Sequence, residues 1–492
     1  MHASAQGNAK GLMIAFAAVL AAAASIAAGC SAINSVTNPI ISPTNPTPST
    51  AGVPVSITDA PSDQVIAASL TLDTIVLTDS AGKTTSILSA PITFEATHLD
   101  AVQEPLFTPA IPEDTYTSVA LSYSNAQVAY LDPTTKKVVL ATATLENTSQ
   151  TIDFPKQVTV GNTTTSLLID YLVASSVAIS GSTVTVTPVF HVAAVPIPPQ
   201  PINGINGLQC GIKGQVTAIG ANSFTLTNVQ GTAFVIAVNA NTQYQGLSGF
   251  SALAVGALVE VDTITQSDGS LLAVRVEEQV PPNATAAMLV GPVTAVSGSP
   301  ATSFTMLVRQ QIGGGATPAA PTTVTVSVTG STQFILPGRF GNLNNYIILP
   351  LESFTASTLF AGQVVAVVTN GVSNDTATAV AVALNPQTVD GTITAIDYPK
   401  DQIVPNWILV TVALPSGSWL ATLTGQTTVT VYTPYGCANA ESCYMQTINN
   451  TPPAVGDTIR YNGFLFENNG SLVLIALVQA DGPGTPIAPP GQ

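Results

Sequence analysis

From Val53 onward, apolar and polar residues alternate in short runs divided by turn signals, a period-2 pattern that predicts strands rather than helices. Val55 and Ile57 alternate with Ser56 and Thr58 before Asp59-Ala60-Pro61, and Leu70 and Leu72 resume the alternation. Asp79-Ser80-Ala81-Gly82 reads as a turn, Val119, Leu121 and Tyr123 as a strand, and Asp132-Pro133 as the turn before a strand over 138–145. Strands over 167–171 and 184–192 complete the set. Short alternating strands separated by turns predict an antiparallel β-sandwich over residues 53–195.

After a proline-rich linker at 196–207, the pattern repeats three times. Gly214-Gln215-Val216-Thr217-Ala218-Ile219 returns as Gly291-Pro292-Val293-Thr294-Ala295-Val296 and again as Gly391-Thr392-Ile393-Thr394-Ala395-Ile396. Within each copy a second strand (around Phe224, Phe304 and Trp407) and a third (running toward Tyr244, Phe334 and Tyr432) follow. A fourth strand comes after Gly256, Gly362 or Gly456, and a fifth ends near Val276, Leu384 or Val478. The unequal starts favour folded domains with variable loops over a tight solenoid. Five strands, with a helical turn at Phe250-Ser251-Ala252-Leu253 in the first copy, predict small closed barrels of the OB kind over 208–280, 285–385 and 388–481. The fold class expected is all-β: a sandwich followed by three five-stranded barrels, ending in a disordered tail at 482–492.

Ahead of the strands stands a different pattern. A single Lys10 precedes the apolar run 11–28, which ends in Ala27-Ala28-Gly29 before Cys30. The stretch resembles a bacterial lipoprotein signal, with Ala27 where such signals usually carry Leu; the resemblance implies cleavage after residue 29 and lipidation of Cys30. A transmembrane helix and a plain signal peptide are the competing readings. Residues 30–52 hold Pro39, Pro43, Pro46 and Pro48 and read as a tether, reaching roughly 70 Å if fully extended at about 3.1 Å per residue. Ser31 is not the Asp that retains some lipoproteins in the inner membrane, so the outer membrane is the expected location.

Two further resemblances attach to motifs. Val55-Ser56-Ile57-Thr58-Asp59-Ala60-Pro61, Pro112-Glu113-Asp114-Thr115-Tyr116, Leu167-Leu168-Ile169-Asp170-Tyr171 and Val186-Thr187-Pro188-Val189 resemble an uncharacterised family of bacterial lipoprotein β-domains. The triplicate resembles a second uncharacterised bacterial family found as tandem copies, most closely in its first copy. Both imply architecture and an envelope location, and neither implies an activity.

Composition then narrows the chemistry. Charged residues make up only 8% of the 492, with 11 Lys plus Arg against 27 Asp plus Glu and a net charge of −16. A chain so poor in cations is not expected to hold a phosphate backbone, so nucleic acid is excluded as a partner at this stage. Of the four cysteines, Cys437 and Cys443 are spaced to close a loop disulfide worth about 2 kcal/mol. Cys210 reads as a small buried residue. His98 and His191 read as ordinary structural or surface residues, and Asp59, Asp63 and Asp170 are not forced together, so no metal or cofactor is expected. No metalloprotease, nucleophile-elbow or phosphate-loop motif occurs.

The third copy holds both tryptophans, Trp407 and Trp419, flanking Pro415-Ser416-Gly417-Ser418, and Tyr432, Tyr435 and Tyr444 around the cysteine loop. The tryptophans fit a barrel core across a hairpin turn, and the tyrosines are candidate ligand contacts. The expected function is a lipid-anchored envelope protein, not an enzyme, with a structural or protein-interaction role. Its expected partners are the membrane through the anchor and an envelope protein or glycan. The alternatives are a carbohydrate-binding accessory lipoprotein and a hydrolase or metal-dependent enzyme.

Overall fold

The computed structural model describes residues 50–59, 64–99, 104–161, 165–196, 208–266, 270–280, 286–314, 321–336, 354–397, 407–434, 446–447 and 453–481. The leader with Cys30, most of the tether, the tail at 482–492, Asp63, Tyr435, Cys437, Cys443 and Tyr444 lie outside them.

The N-terminal unit is built on two long antiparallel strands, Val65–Asp79 and Asp114–Leu131, flanked by Ser149–Val160 and Thr84–Ser86 in one six-stranded sheet. Facing it is a four-stranded sheet ordered Phe190–Pro196, Thr165–Tyr171, Val55–Asp59, Glu104–Phe107. Every pair in these two sheets is antiparallel except Val55–Asp59 with Thr165–Tyr171, which run parallel because the whole long-stranded sheet intervenes between them in the chain. One core joins the sheets: Leu70, Leu72, Ile75, Leu77 and Tyr123 from one, Ile57, Ile169, Tyr171 and Phe190 from the other. The inward residues change parity between Leu72 and Ile75 because a bulge shifts the register there. Tyr171 stacks at 4.9 Å on Phe190, and Tyr123 closes on the same ring at 5.6 Å.

The three copies are closed five-stranded barrels. In barrel 1, strand one is Leu208–Ile219, two Ser223–Asn228, three Ala233–Ala237, four Leu258–Thr265 and five Leu271–Val280. Barrel 2 follows as Ala287–Ser297, Ser303–Val308, Thr322–Ser327, Val364–Ser373 and Thr376–Leu384, and barrel 3 as Gln387–Asp397, Trp407–Ala413, Thr428–Pro434, Thr458–Asn468 and Ser471–Asp481. Each strand one pairs with both two and four, and each strand three closes the ring by running parallel to five. That order, with a 3-10 turn at Phe250–Ala252 between strands three and four of barrel 1, is the OB arrangement.

The glycine that opens each repeat motif has a steric reason. A Cβ at Gly214, Gly291 or Gly391 would press into the carbonyl oxygen of Thr227, Leu307 or Ala413 on strand two, closer than the 3.0 Å that real Cβ atoms keep. Only glycine lets the strands close there.

Two expectations about the strands are corrected. In copies 1 and 2, the segments around Tyr244 and Phe334 are short added strands, Gln243–Gln245 and Gln333–Ile335, that continue past strand three along strand five. The turn between the tryptophans is instead the approach to a helix, Trp419–Thr424, whose N-cap is Ser418 and which ends at left-handed Gly425. Trp419 therefore sits on a helix rather than on a wall strand, in one buried cluster with the core of barrel 3.

Candidate functional site

The modules do not hang as separate beads. Trp419, 8% exposed, and Leu420 share a buried cluster with the barrel 3 core (Val410, Val431 and Leu474 among others) that runs on to Ile66, Ala67, Ala129 and Leu131 of the sandwich and Leu307 of barrel 2. Phe464 and Phe466 of barrel 3 join the barrel 2 core, and Leu258 of barrel 1 joins an apolar cluster on the outside of barrel 2. Where these surfaces converge, a set of polar side chains is buried with them.

Its centre is Glu95–His98–Glu104. Glu95 ends the strand Ile92–Glu95, and the chain turns through Thr97 and His98 before Glu104 opens the strand Glu104–Phe107. The turn is held by Glu95 itself. Its Oε1 accepts from the amides of Ala68 and Thr97, both at 3.0 Å, and from the Thr97 hydroxyl at 2.6 Å. Its Oε2 accepts from the His98 amide at 3.2 Å and contacts the ring Nδ1 at 2.9 Å. On the other side of the ring, Nε2 lies 3.0 Å from Glu104 Oε1, a charge contact rather than an aligned hydrogen bond.

Glu104 in turn reaches two barrels. Gln310 of barrel 2 donates to its Oε1 at 3.0 Å, and Gln230 of barrel 1 donates to its Oε2 at 2.7 Å. Asn228 donates to the Pro105 carbonyl at 3.3 Å. Arg309, next to Gln310, donates through Nε to the Ile66 carbonyl at 2.6 Å and lies 5.8 Å from the centre of the Trp419 ring. Three modules thus meet around one imidazole and two carboxylates, with Trp419 of barrel 3 beside the neighbouring Arg309.

The electrostatics follow from that crowding. Burial by itself would pull the His98 pKa down, but the Glu104 and Glu95 carboxylates outweigh it and carry it up to about 9. Burial would likewise lift Glu104, yet the His98 charge and the Gln230 hydrogen bond bring it down to about 2. Glu95 is held below its ordinary value, against burial, by His98 and Arg309. With its pKa near 9, the ring at neutral pH is an imidazolium, a cation held between the two carboxylates.

Two smaller ionic sets lie on barrel surfaces. In barrel 1, Arg275 contacts Asp262 and Glu277 at 2.8 Å and Glu260 at 3.4 Å. Burial lifts Glu260 to about 7 despite Lys213 and Arg275 nearby. In barrel 3, Arg460 pairs with Asp390 at 3.0 Å, both nearly fully buried. A polar cleft of about 570 Å³ on barrel 2 is lined by Thr329, Ser331, Thr369 and Thr378 among others, but the Thr329 and Thr369 hydroxyls are engaged within their own turns. Among the described residues, no group of three or more His, Cys, Asp or Glu side chains is placed to hold a metal ion.

Of the residues singled out in the sequence, His98 stands at the centre of the junction. Asp59 accepts from the Val173 amide at 3.1 Å inside the sandwich. Asp170 and His191 are cross-strand neighbours in the four-stranded sheet, with Asp170 buried and His191 exposed. Tyr432 lies in strand three of barrel 3, half-buried against the barrel 2 cluster, and burial raises its pKa. Cys210 lies in strand one of barrel 1. Glu95, Glu104, Gln230, Arg309 and Gln310 were missed because their spacing along the chain carries no motif. The available signal was scarcity: in a chain with so few charges, each buried one is a candidate contact.

No curated protein matches this chain. Among solved structures, it resembles the single-stranded DNA binding protein from Thermus aquaticus, as the wild type and as a deletion mutant. Both are 13% identical with a TM-score of 0.16, over 42% of this chain and 95% and 97% of theirs. The exclusion of nucleic acid, expected from charge, is corrected by this finding. Cation count governs phosphate contacts, whereas OB barrels also hold single strands by stacking, which a charge count does not measure. At that TM-score the likeness goes no further. Within barrel 1, residues 213–277 match the model of a family described as Domain of unknown function (DUF5666).

Proposed function

We propose that this chain is a lipid-anchored protein of the bacterial cell envelope, at the outer membrane, with a structural and non-catalytic role. Its body, on this reading, is a preassembled β scaffold held off the membrane by the proline-rich tether. The observation that carries the reading is the junction: Glu104 is shared between His98 and both Gln230 and Gln310, so this buried carboxylate is used in joining modules. A buried ionic network of this kind fixes one arrangement in preference to others. The leader ending at Cys30 and the prolines at 39, 43, 46 and 48 supply the anchor and the spacer.

The test is metabolic labelling with a palmitate analogue in a bacterial host, followed by membrane fractionation. The native chain should take up label and sediment with outer membranes. Cys30→Ala should take up none and appear in the soluble fraction. Label that persists in Cys30→Ala, or a native chain that is never labelled, would sink the reading.

A further inference from the structure

The polar cleft on barrel 2 continues into a hydroxyl surface that the register of its strands lays out. Ser303 of strand two is paired with Ser327 of strand three, and Ser327 with Thr378 of strand five; Thr305, Thr325 and Thr376 form a second row beside them. All six point outward, because Phe304, Val326 and Ala377, which alternate with them, fill the barrel core. Rows of this kind stand about 4.8 Å apart across strands and about 6.8 Å apart along them. Thr376 donates to the Ser373 carbonyl at 2.6 Å, whereas the hydroxyls of Ser303, Thr305, Thr325, Ser327 and Thr378 have no partner among the described residues. Elsewhere in the chain paired hydroxyls bond one another, as Thr71 does with Thr93 at 2.8 Å.

Thr378 belongs to both the grid and the cleft. Thr329 and Ser331, in the turn after strand three, and Thr369 and Asn370, at a bulge in strand four, form the walls, and Val380 adds an apolar patch. Thr329 and Thr369 spend their hydroxyls on shaping those walls, so Thr378 presents the free one. Among the described residues that line the cleft, none is charged or aromatic. Its volume, about 570 Å³, lies within the ~300–1,000 Å³ typical of small-molecule sites.

The same two rows differ in the other barrels. Barrel 1 carries Ser223, Ala237 and Leu272 in one, and Thr225 with Val235 in the other. Barrel 3 carries Leu409, Tyr432 and Ile475, then Thr411, Thr430 and Val473. Tyr432 and Ile475 pack into the barrel 2 cluster, so where this face joins a neighbouring module it is apolar. In barrel 2 both rows are hydroxyl throughout, and Thr325, Ser327, Thr376 and Thr378 are exposed.

We propose that the cleft and grid of barrel 2 bind a neutral glycan. A hydroxyl both donates and accepts, which is what the hydroxyls of a sugar require of a partner. A site without a cation offers nothing to a phosphate, sulfate or uronate, and a site without an aromatic ring lacks the platform on which a base stacks. The threonine methyls and Val380 are left for the C–H face of the ring. This places the glycan contact on barrel 2 rather than at Tyr432, and it holds whether or not Cys30 is lipidated.

The test is calorimetric titration of the full chain with maltohexaose, cellohexaose and chitohexaose, and with a galacturonic acid hexamer and a thymidine hexanucleotide as charged comparisons. At least one neutral sugar should bind with a Kd below about 1 mM, and neither charged chain should match it. In the variant Thr325→Val, Ser327→Ala, Thr378→Val, which keeps the strand pattern and removes three hydroxyls, affinity should fall at least about tenfold. Thr225→Val, at the equivalent position of barrel 1, should leave it within about twofold. In the native chain the bound sugar should slow hydrogen exchange over 327–332 and 369–378 and leave 233–245 unchanged, a readout that does not depend on how the variants fold. The proposal is overturned if no neutral sugar binds, if a charged hexamer binds as tightly, if affinity survives the triple variant, or if the protection falls on another module.

Discussion

Replacing Glu104 by Gln keeps the shape and removes the charge that faces His98, and the cost can be worked from the junction itself. His98 moves from 6.5 to about 9 on folding, and Glu104 from 4.5 to about 2. Each shift, at about 1.4 kcal/mol per pKa unit, corresponds to about 3 kcal/mol. They are two views of one interaction and count once. Glu95 accounts for part of the His98 shift, so Glu104→Gln should cost about 2–3 kcal/mol at pH 6.

The pH dependence has a definite sign. The His98 pKa is raised by folding, so its contribution is complete below 6.5 and is lost as pH climbs through about 9. The Glu104 pKa is lowered by folding, so its contribution is complete above 4.5 and is lost as pH falls through about 2. The junction is therefore strongest between about pH 4.5 and 6.5. Native-state hydrogen exchange over Glu104–Phe107, corrected for intrinsic rates, suits a chain of several modules in which a single unfolding free energy is not defined. The opening free energy of Glu104→Gln should fall short of native by about 2–3 kcal/mol at pH 6 and by under about 1 kcal/mol at pH 9.5. A deficit equal at both pH values, or below about 0.5 kcal/mol at pH 6, would refute an ionic junction.

Other outcomes follow from the same geometry. Gln230→Ala removes one donor to a buried carboxylate and should loosen barrel 1 by about 1.5–3 kcal/mol, seen as faster exchange around Asn228 with barrel 3 unaffected. Trp419→Ala empties the shared cluster between sandwich, barrel 2 and barrel 3 and takes the ring from Arg309; a loss of about 3–5 kcal/mol should appear as early cleavage by a protease at low dose. Gly291→Ala drives a methyl into the Leu307 carbonyl oxygen, so barrel 2 should lose its cooperative thermal transition. Gly463→Ala, facing the Ile475 carbonyl in the same way, should do so to barrel 3.

The alternation of Val, Ile and Leu with Thr and Ser made the strands legible without a structure, because a period of two can bury one face only in a sheet. The repeated Gly-x-Val/Ile-Thr-Ala made the three barrels legible, since the motif glycine answers a contact within its own barrel. What alternation does not encode is the outward face of a closed barrel. Val290 and its cross-strand partner Ala366 read as positions on the outside of barrel 2, and only the packing of barrel 1 through Leu258 places them in a buried cluster.

The same division explains the junction. The turn in which Glu95 caps Thr97 and His98 is local, a contact spanning three residues. Glu104 meets Gln230 and Gln310 only because three independently closed units come to rest against one another, at separations of 126 and 206 residues. Trp419 shows the limit most clearly: its apolar bulk predicted burial with the core of its own barrel, but not that it would sit on a helix in a cluster continuous with the sandwich and barrel 2. Strand, repeat and turn are decided by neighbours along the chain, whereas the charge and the pairing of a buried group are decided by whatever surface finally excludes water from it.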